Sequence, residues 1–142
     1  MKIYMDVCCY NRPFDDLSQE RVYIESAAVL VIISHCKQGA LTLIGSEAID
    51  RELANLLDKD RFDKIQTLYS AATERLEITA AAEERSSELQ LHGIKKFDSL
   101  HVALAEMCGA LFLTTDDRLL RAVNRLGCKA YNPTNWIMEV QK

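Results

Sequence analysis

Residues 109–120 read Gly109-Ala-Leu-Phe-Leu-Thr-Thr-Asp-Asp-Arg-Leu-Leu120. The glycine follows a helix-like stretch, where a left-handed residue that ends a helix is cheapest as glycine. Leu111 to Thr114 is a short β-prone run. Two acids follow, and a new helix pattern starts at about Asp117. The stretch therefore reads as helix stop, strand, acidic turn and helix start. Gly39, Gly93 and Gly127 stand at matching places after other helix-like stretches. Gly39 leads into Ala40-Leu-Thr-Leu-Ile44, and Gly127 into Cys128-Lys-Ala-Tyr131, both short enough for strands of a sheet.

Working outward, a first strand is expected over 2–6 and a loop containing Pro13 over 7–16. A long helix over 17–37 carries Arg21 and Glu25 at i, i+4. Strand two falls near 41–44, and Ser46 is placed to cap a helix over 47–57. A helix over 61–74, a strand over 76–79, and helices over 81–91 and 97–108 complete the path to strand four at 111–114. A helix over 117–126 then precedes strand five. Strands alternating with helices imply a parallel sheet covered on both faces, with right-handed crossovers. Ligands in such sheets sit at the carboxyl ends of strands, near the point where strand order reverses.

The 142 residues suit one domain, 1–142, long enough to bury a core without disulfides or a structural metal. The net charge of -4 argues against a protein that coats nucleic acid, since neutralising phosphates needs a basic surface. It is compatible with a nuclease whose site must be acidic. Cysteines 8, 9, 36, 108 and 128 are odd in number and contain no C-x-x-C pair. They read as small hydrophobes of a reduced, intracellular protein, without zinc-ligand spacing. The longest apolar run, Ala27 to Ile33, is too short for a bilayer. Asp6 interrupts the start, where a signal peptide would need an apolar stretch, so a cytoplasmic location is expected.

Four acids have places that suggest chemistry. Asp6 ends strand one and Asp116 ends strand four, so a parallel sheet opens both onto one edge. Glu52, on the helix after strand two, and Asp98, at the start of the helix that feeds strand four, can reach that edge. Two like charges ~4 Å apart repel by about 4 kcal/mol at an effective dielectric of ~20. A divalent cation relieves this, and oxygen ligands suit Mg²⁺ or Mn²⁺. Such an ion activates water and steadies charge on a phosphodiester. No Ser-His-Asp set, P-loop or G-x-G-x-x-G offers other chemistry. Each acid also has an ordinary reading: Asp6 as a turn acid, Asp98 and Asp116 as helix caps, Glu52 as a solvated helix residue.

Four segments, taken in order, resemble the PIN-domain family, which includes the VapC-type toxin nucleases. Ile3-Tyr-Met-Asp6 is similar to its opening strand and first acid, and Ser46-Glu47-Ala-Ile-Asp-Arg-Glu52-Leu53 to the segment with the second. Phe97-Asp98-Ser-Leu-His-Val-Ala103-Leu-Ala105 is similar to the third-acid helix, and Leu113-Thr-Thr-Asp116-Asp-Arg-Leu-Leu120 to the fourth. Asn11-Arg12-Pro13-Phe14-Asp15-Asp16 and Asn132-Pro133 are similar to one subgroup. The resemblance spans nearly the whole chain. It implies a three-layer α/β/α sandwich with a central parallel sheet of about five strands. It further implies a ribonuclease whose Asp6, Glu52, Asp98 and Asp116 are catalytic and hold Mg²⁺ or Mn²⁺. The implied partners are an RNA substrate, an antitoxin protein and a second copy in a homodimer, with no membrane. The alternative is a catalytically silent PIN-fold module that binds RNA or protein; the intact acid set favours the enzyme. A receiver-like signalling domain is discounted, because strand three runs into Thr79-Ala-Ala-Ala without an aspartate.

The sequence departs from the family where Val7-Cys8-Cys9 replaces a polar Thr-Asn pair, so that a polar contact to the first acid is either missing or supplied by Asn11. Glu47 competes with Glu52 as second acid, and the helix pattern favours Glu52. Asp117 competes with Asp116 but also reads as a helix-start acid at the positive dipole end. Candidate substrate contacts are Asn11, Arg12, Lys96 and His101. Asn11 and Arg12 either orient a phosphate or pin their loop. Lys95-Lys96 either steer a phosphate or form a solvated turn. His101, three residues after Asp98 and on the same helix face, either touches substrate or fills the pocket rim. Arg118, Arg121 and Arg125 read as a solvated face. Trp136, with Ile137 and Met138, either packs the tail on the sheet or covers a subunit partner.

Overall fold

The computed structural model describes residues 1–140. Its strands are β1 (Lys2–Met5), β2 (Thr42–Ser46), β3 (Glu74–Leu76), β4 (Leu111–Leu113) and β5 (Ala130–Tyr131). Its helices are α1 (Val7–Asn11), α2 (Glu20–Lys37), α3 (Glu47–Ala54), α4 (Lys59–Tyr69), α5 (Ala80–Gln90), α6 (Lys96–Cys108), α7 (Asp117–Arg125) and α8 (Pro133–Val140). A 3-10 turn spans Arg12–Phe14.

The strands form one sheet in the order β3-β2-β1-β4-β5, with every neighbouring pair parallel. The architecture is the three-layer α/β/α sandwich. Ile3, Tyr4 and Met5 of β1 are fully buried, as a central parallel strand covered on both faces requires. From β1 the chain builds outward to β2 and β3, then returns to place β4 on the other side of β1. Strand order therefore reverses between β1 and β4, and the crevice at their carboxyl ends receives Asp6 and the segment after Leu113.

Helix stops fall where the glycines predict: Gly39, Gly93, Gly109 and Gly127 all have positive φ. Gly45 answers a different demand, since a Cβ there would lie 2.7 Å from the Tyr69 hydroxyl. That hydroxyl accepts the Ser46 N–H at 2.9 Å and donates to Asp50 Oδ1 at 3.0 Å, so it is held in place. Ser46 caps α3 as expected, its Oγ accepting the Ile49 N–H at 3.1 Å.

Some boundaries differ from expectation. Residues 7–14 are not plain loop but α1 and the 3-10 turn, because Val7, Cys9 and Tyr10 bury one side of a short helix. Helix α2 starts at Glu20, since Asp16 Oδ1 accepts from both the N–H and the hydroxyl of Ser18 and holds that turn outside the helix. Strand β3 ends at Leu76: Ile78 N–H is drawn to Glu47 Oε1 and Thr79 caps α5. The tail forms α8, opened by Pro133, with Asn132 Oδ1 accepting the Thr134 N–H. Trp136 is 5% exposed within its own chain. The tail leaves Met138 and Val140 exposed, and α2 exposes Tyr23, Ile24, Leu30 and Val31 as well. No helix among the described residues is long and apolar enough to cross a membrane.

The i, i+4 partner of Arg21 proves to be a buried junction. Glu25, 2% exposed, accepts from Arg12 Nε at 2.8 Å, Arg21 Nε at 3.2 Å and the Asn132 side chain. It ties the 3-10 turn, α2 and the start of α8 together. Glu25→Ala leaves these donors without their acceptor and should lower unfolding free energy by about 2 kcal/mol. The check is the urea midpoint; an unchanged midpoint would mean that the junction adds no net stability.

Candidate metal centre

Asp6 continues the β1 ladder by one bond, its N–H reaching the Leu113 carbonyl at 2.9 Å. This fixes the side chain at the carboxyl end of β1, facing the segment that leaves β4. Its Oδ2 accepts from Thr114 Oγ1 at 2.9 Å and from Cys8 Sγ at 3.3 Å. Thr114 Oγ1 in turn accepts the Asp116 N–H at 3.1 Å, coupling the first acid to the fourth.

Glu52 projects from α3 and His101 from α6, where Glu52 Oε1 lies 2.8 Å from His101 Nε2. Asp6, Glu52 and His101 each offer a ligand atom within 4.8 Å of the others. Asp98 sits in the first turn of α6, one turn before His101. Asp116 caps α7, its Oδ1 accepting from the N–H groups of Arg118 at 3.0 Å and Leu119 at 3.2 Å. Asp98 and Asp116 face one cavity of about 280 Å³, also lined by Lys95 and Arg118. The structure brings Asp6, Glu52 and His101 within reach of one another, and sets Asp98 and Asp116 together on a cavity that none of those three lines. A larger cavity of about 610 Å³, lined by Arg21, Glu25, Asp117 and Asn132, contains none of these acids.

Charge follows geometry. Burial pushes the Asp6 carboxyl well up, Cys8 adds to it, and Asp98 and Glu52 raise it further while His101 opposes. Burial likewise raises Asp98, with His101 opposing and the carboxylates of Glu52 and Asp116 adding to the rise. A divalent cation would offset both the desolvation and the mutual repulsion. A donor set of several carboxylates fits a hard divalent ion such as Mg²⁺ or Mn²⁺.

The remaining sequence candidates have other placements. Glu47 Oε1 accepts the Ile78 N–H at 2.8 Å, and the carboxylate stands 3.8 Å from Arg51, so it anchors the β3–α5 connection. Asp117 takes both terminal nitrogens of Arg21 at 2.8 Å on the surface. Asn11 is pinned between the Val7 carbonyl and Arg61. Arg12 is paired with Glu25 and Asp15. Lys96 is exposed, while its neighbour Lys95 lines the acid-bearing cavity. His101 has no exposed surface.

Sequence reasoning missed Cys8, Thr114 and Tyr4 as neighbours of these acids, and read Ser46 only as a helix cap. Cys8 supplies the contact to Asp6 that the absent Thr-Asn pair left open, and its Sγ also meets Thr114 Oγ1 and the Thr115 N–H at 3.4 Å. Its thiol is pushed down to about 6, first by Cys9 and then, against burial, by Thr114 and Thr115. The available signal was position alone: the first turn of a helix that starts directly after Asp6 brings residue 8 back over it.

No protein-family model matches this sequence, and no curated protein matches it. Solved structures do. The chain is similar to VapBC2 from Rickettsia felis, solved bound to a DNA fragment from its promoter, with TM-score 0.60 and 15% identity over 93% of this chain and 98% of that one. It is similar to FitAcB from Neisseria gonorrhoeae, with TM-score 0.60 and 17% identity over 94% of this chain and 98% of that one. FitAB bound to an IR36 DNA fragment gives TM-score 0.58 and 16% identity, over 94% and 96% of the two chains. At such identities the likeness is one of fold, and the fold of this chain is the PIN-like one that its four acid-bearing segments resemble.

Proposed function

We propose that this chain is a metal-dependent endoribonuclease, the toxin of a toxin–antitoxin pair, acting in the cytoplasm with Mg²⁺ or Mn²⁺. The observation that carries the reading is the convergence of Asp6, Glu52 and His101 within 4.8 Å, with Asp98 one turn before His101 on α6 and sharing a cavity with Asp116. Asp6, Glu52, Asp98 and Asp116 would hold the ion. When bound, it would activate a water and offset charge on the phosphodiester. The chain's own work is to hold the acids in place. Thr114 and Cys8 orient Asp6, and the α7 N–H groups orient Asp116. Lys95 and Arg118, on the cavity wall, give the RNA backbone cations to meet beside the acids. The two-component VapBC2 and FitAB complexes support an antitoxin partner. The exposed apolar side chains of α2 give an antitoxin, or a second copy in a homodimer, a face to cover.

The test is cleavage of a panel of end-labelled RNAs with loops and single-stranded arms, in EDTA, Mg²⁺ or Mn²⁺. Cutting is expected only with a divalent ion. Cutting that persists in EDTA overturns the metal role. Binding of RNA without cutting under any ion overturns the enzyme and supports the silent module.

A further inference from the structure

His101 is fully buried, yet both ring nitrogens are engaged. Nδ1 lies 2.7 Å from the Tyr4 hydroxyl, and Nε2 lies 2.8 Å from Glu52 Oε1. The Tyr4 hydroxyl is also 2.6 Å from Ser46 Oγ, which accepts the Ile49 N–H at 3.1 Å. Tyr4 comes from β1, Ser46 from the end of β2, Glu52 from α3 and His101 from α6. Ser46 caps the same helix that carries Glu52, so one chain of contacts sets both the start of α3 and the place of its acid.

Chemistry orders the protons. An ionised carboxylate only accepts, so a bond between Glu52 and Nε2 needs the proton on Nε2. In a neutral imidazole Nδ1 is then the acceptor, and the Tyr4 hydroxyl donates to it. The Tyr4 oxygen in turn accepts the Ser46 proton, and Ser46 Oγ accepts the backbone N–H of Ile49. With the ring neutral, donation runs in one direction, Ser46 to Tyr4 to His101 to Glu52, and every group is satisfied; with the ring doubly protonated, Nδ1–H would donate to Tyr4 instead, while Nε2–H would still meet Glu52. In the reverse order two lone pairs face each other between Nε2 and Glu52.

Resting on the metal-site reading above, we propose that His101 is a positioning residue: the buried Ser46–Tyr4 pair locks its Nε2–H tautomer, and that N–H fixes Glu52 Oε1 so that the carboxylate meets the ion ready-oriented. His101 does not touch substrate in this role. It acts through Glu52, and Tyr4 acts through His101. Partners that orient a ligand in this way are worth roughly 10–100-fold in metal affinity.

Three measurements test this. Long-range ¹H–¹⁵N spectra of histidine-labelled wild type, with and without Mg²⁺, should show His101 protonated on Nε2 alone in both states. Tyr4→Phe, with its fold checked by near-UV circular dichroism, should bind Mn²⁺ roughly 10–100-fold more weakly in a titration. His101→Gln, whose amide can still donate to Glu52, should keep more affinity than His101→Leu. An Nδ1–H ring, a doubly protonated ring, or a proton that leaves Nε2 when Mg²⁺ binds overturns the inference. So does wild-type Mn²⁺ affinity in both Tyr4→Phe and His101→Leu, while the metal site itself stands. A wild type that binds no Mn²⁺ overturns the metal site first and this role with it. If Tyr4→Phe does not fold, the wild-type spectrum and the two His101 variants decide.

Discussion

Asp6→Asn should bind Mn²⁺ and cut RNA at least roughly 100-fold more weakly than wild type while keeping its fold, since a direct ligand must weigh at least as much as the partners that orient one. The substitution keeps the shape of the side chain and removes its charge. Thr114 Oγ1, which donates to Asp6 Oδ2, can donate equally to an amide oxygen. The β1–β4 ladder uses only the backbone N–H of residue 6, so the sheet is untouched. Asp116→Asn is a sharp companion, because asparagine caps a helix as well as aspartate does. Helix α7 should persist in it, and any loss of cutting then reports on charge at the cavity. The measurements are initial cleavage rates across a Mn²⁺ titration and the affinity for the ion itself. An Asp6→Asn protein that cuts like wild type would show that this buried carboxylate only shapes the turn after β1.

Why these acids could be found from sequence, and their surroundings could not, has a physical reason. Strand ends and helix stops are local events. Gly109 has φ 69° where the sequence stops a helix, and the strand that follows it pairs with β1, so Asp6 and Asp116 had to open onto one edge. The direction a helix face points is not local. The spacing from Asp98 to His101 fixes a shared face of α6, but whether that face meets solvent or sheet depends on where β1 presents Tyr4. The fully buried His101 was therefore open to reading as a rim residue. Arg12 and Asn11 show the same limit. Their partners Glu25 and Arg61 lie 13 and 50 residues away, and no window of sequence joins them. Residues 7–19 were unreadable for another cause: the Asp16–Ser18 turn and the apolar side of α1 are each too short to show a period.

The metal-free protein should be stabilised by Mn²⁺, by about 2.7 kcal/mol at ~100 times the dissociation constant, because the ion binds the folded cluster only. For a chain of this size that is a rise of roughly 8 °C in the unfolding midpoint. The reason lies in the acids themselves. Asp6 and Asp98 are both raised from 3.8, burial first and the neighbouring carboxylates with it. A carboxyl raised in the native state binds protons more tightly folded than unfolded, so stability falls as pH rises. Below 3.8 both states are protonated and these two acids cost nothing; the cost builds as pH climbs and is complete once pH passes their raised values. Asp117, lowered by Arg21, works in the opposite sense but is an exposed pair and carries little weight. The comparison that isolates the cluster is wild type against Asp98→Asn, melted in EDTA from pH 4 to pH 8 and again with millimolar Mn²⁺. In EDTA the variant should melt higher than wild type at neutral pH, and the gap should close as pH falls. With Mn²⁺ the order should reverse, since the variant has lost a ligand. A wild type indifferent to Mn²⁺, together with a variant that melts lower throughout the pH range in EDTA, would make Asp98 a structural acid of the first turn of α6 and leave the repulsion between these acids without a role for metal to play.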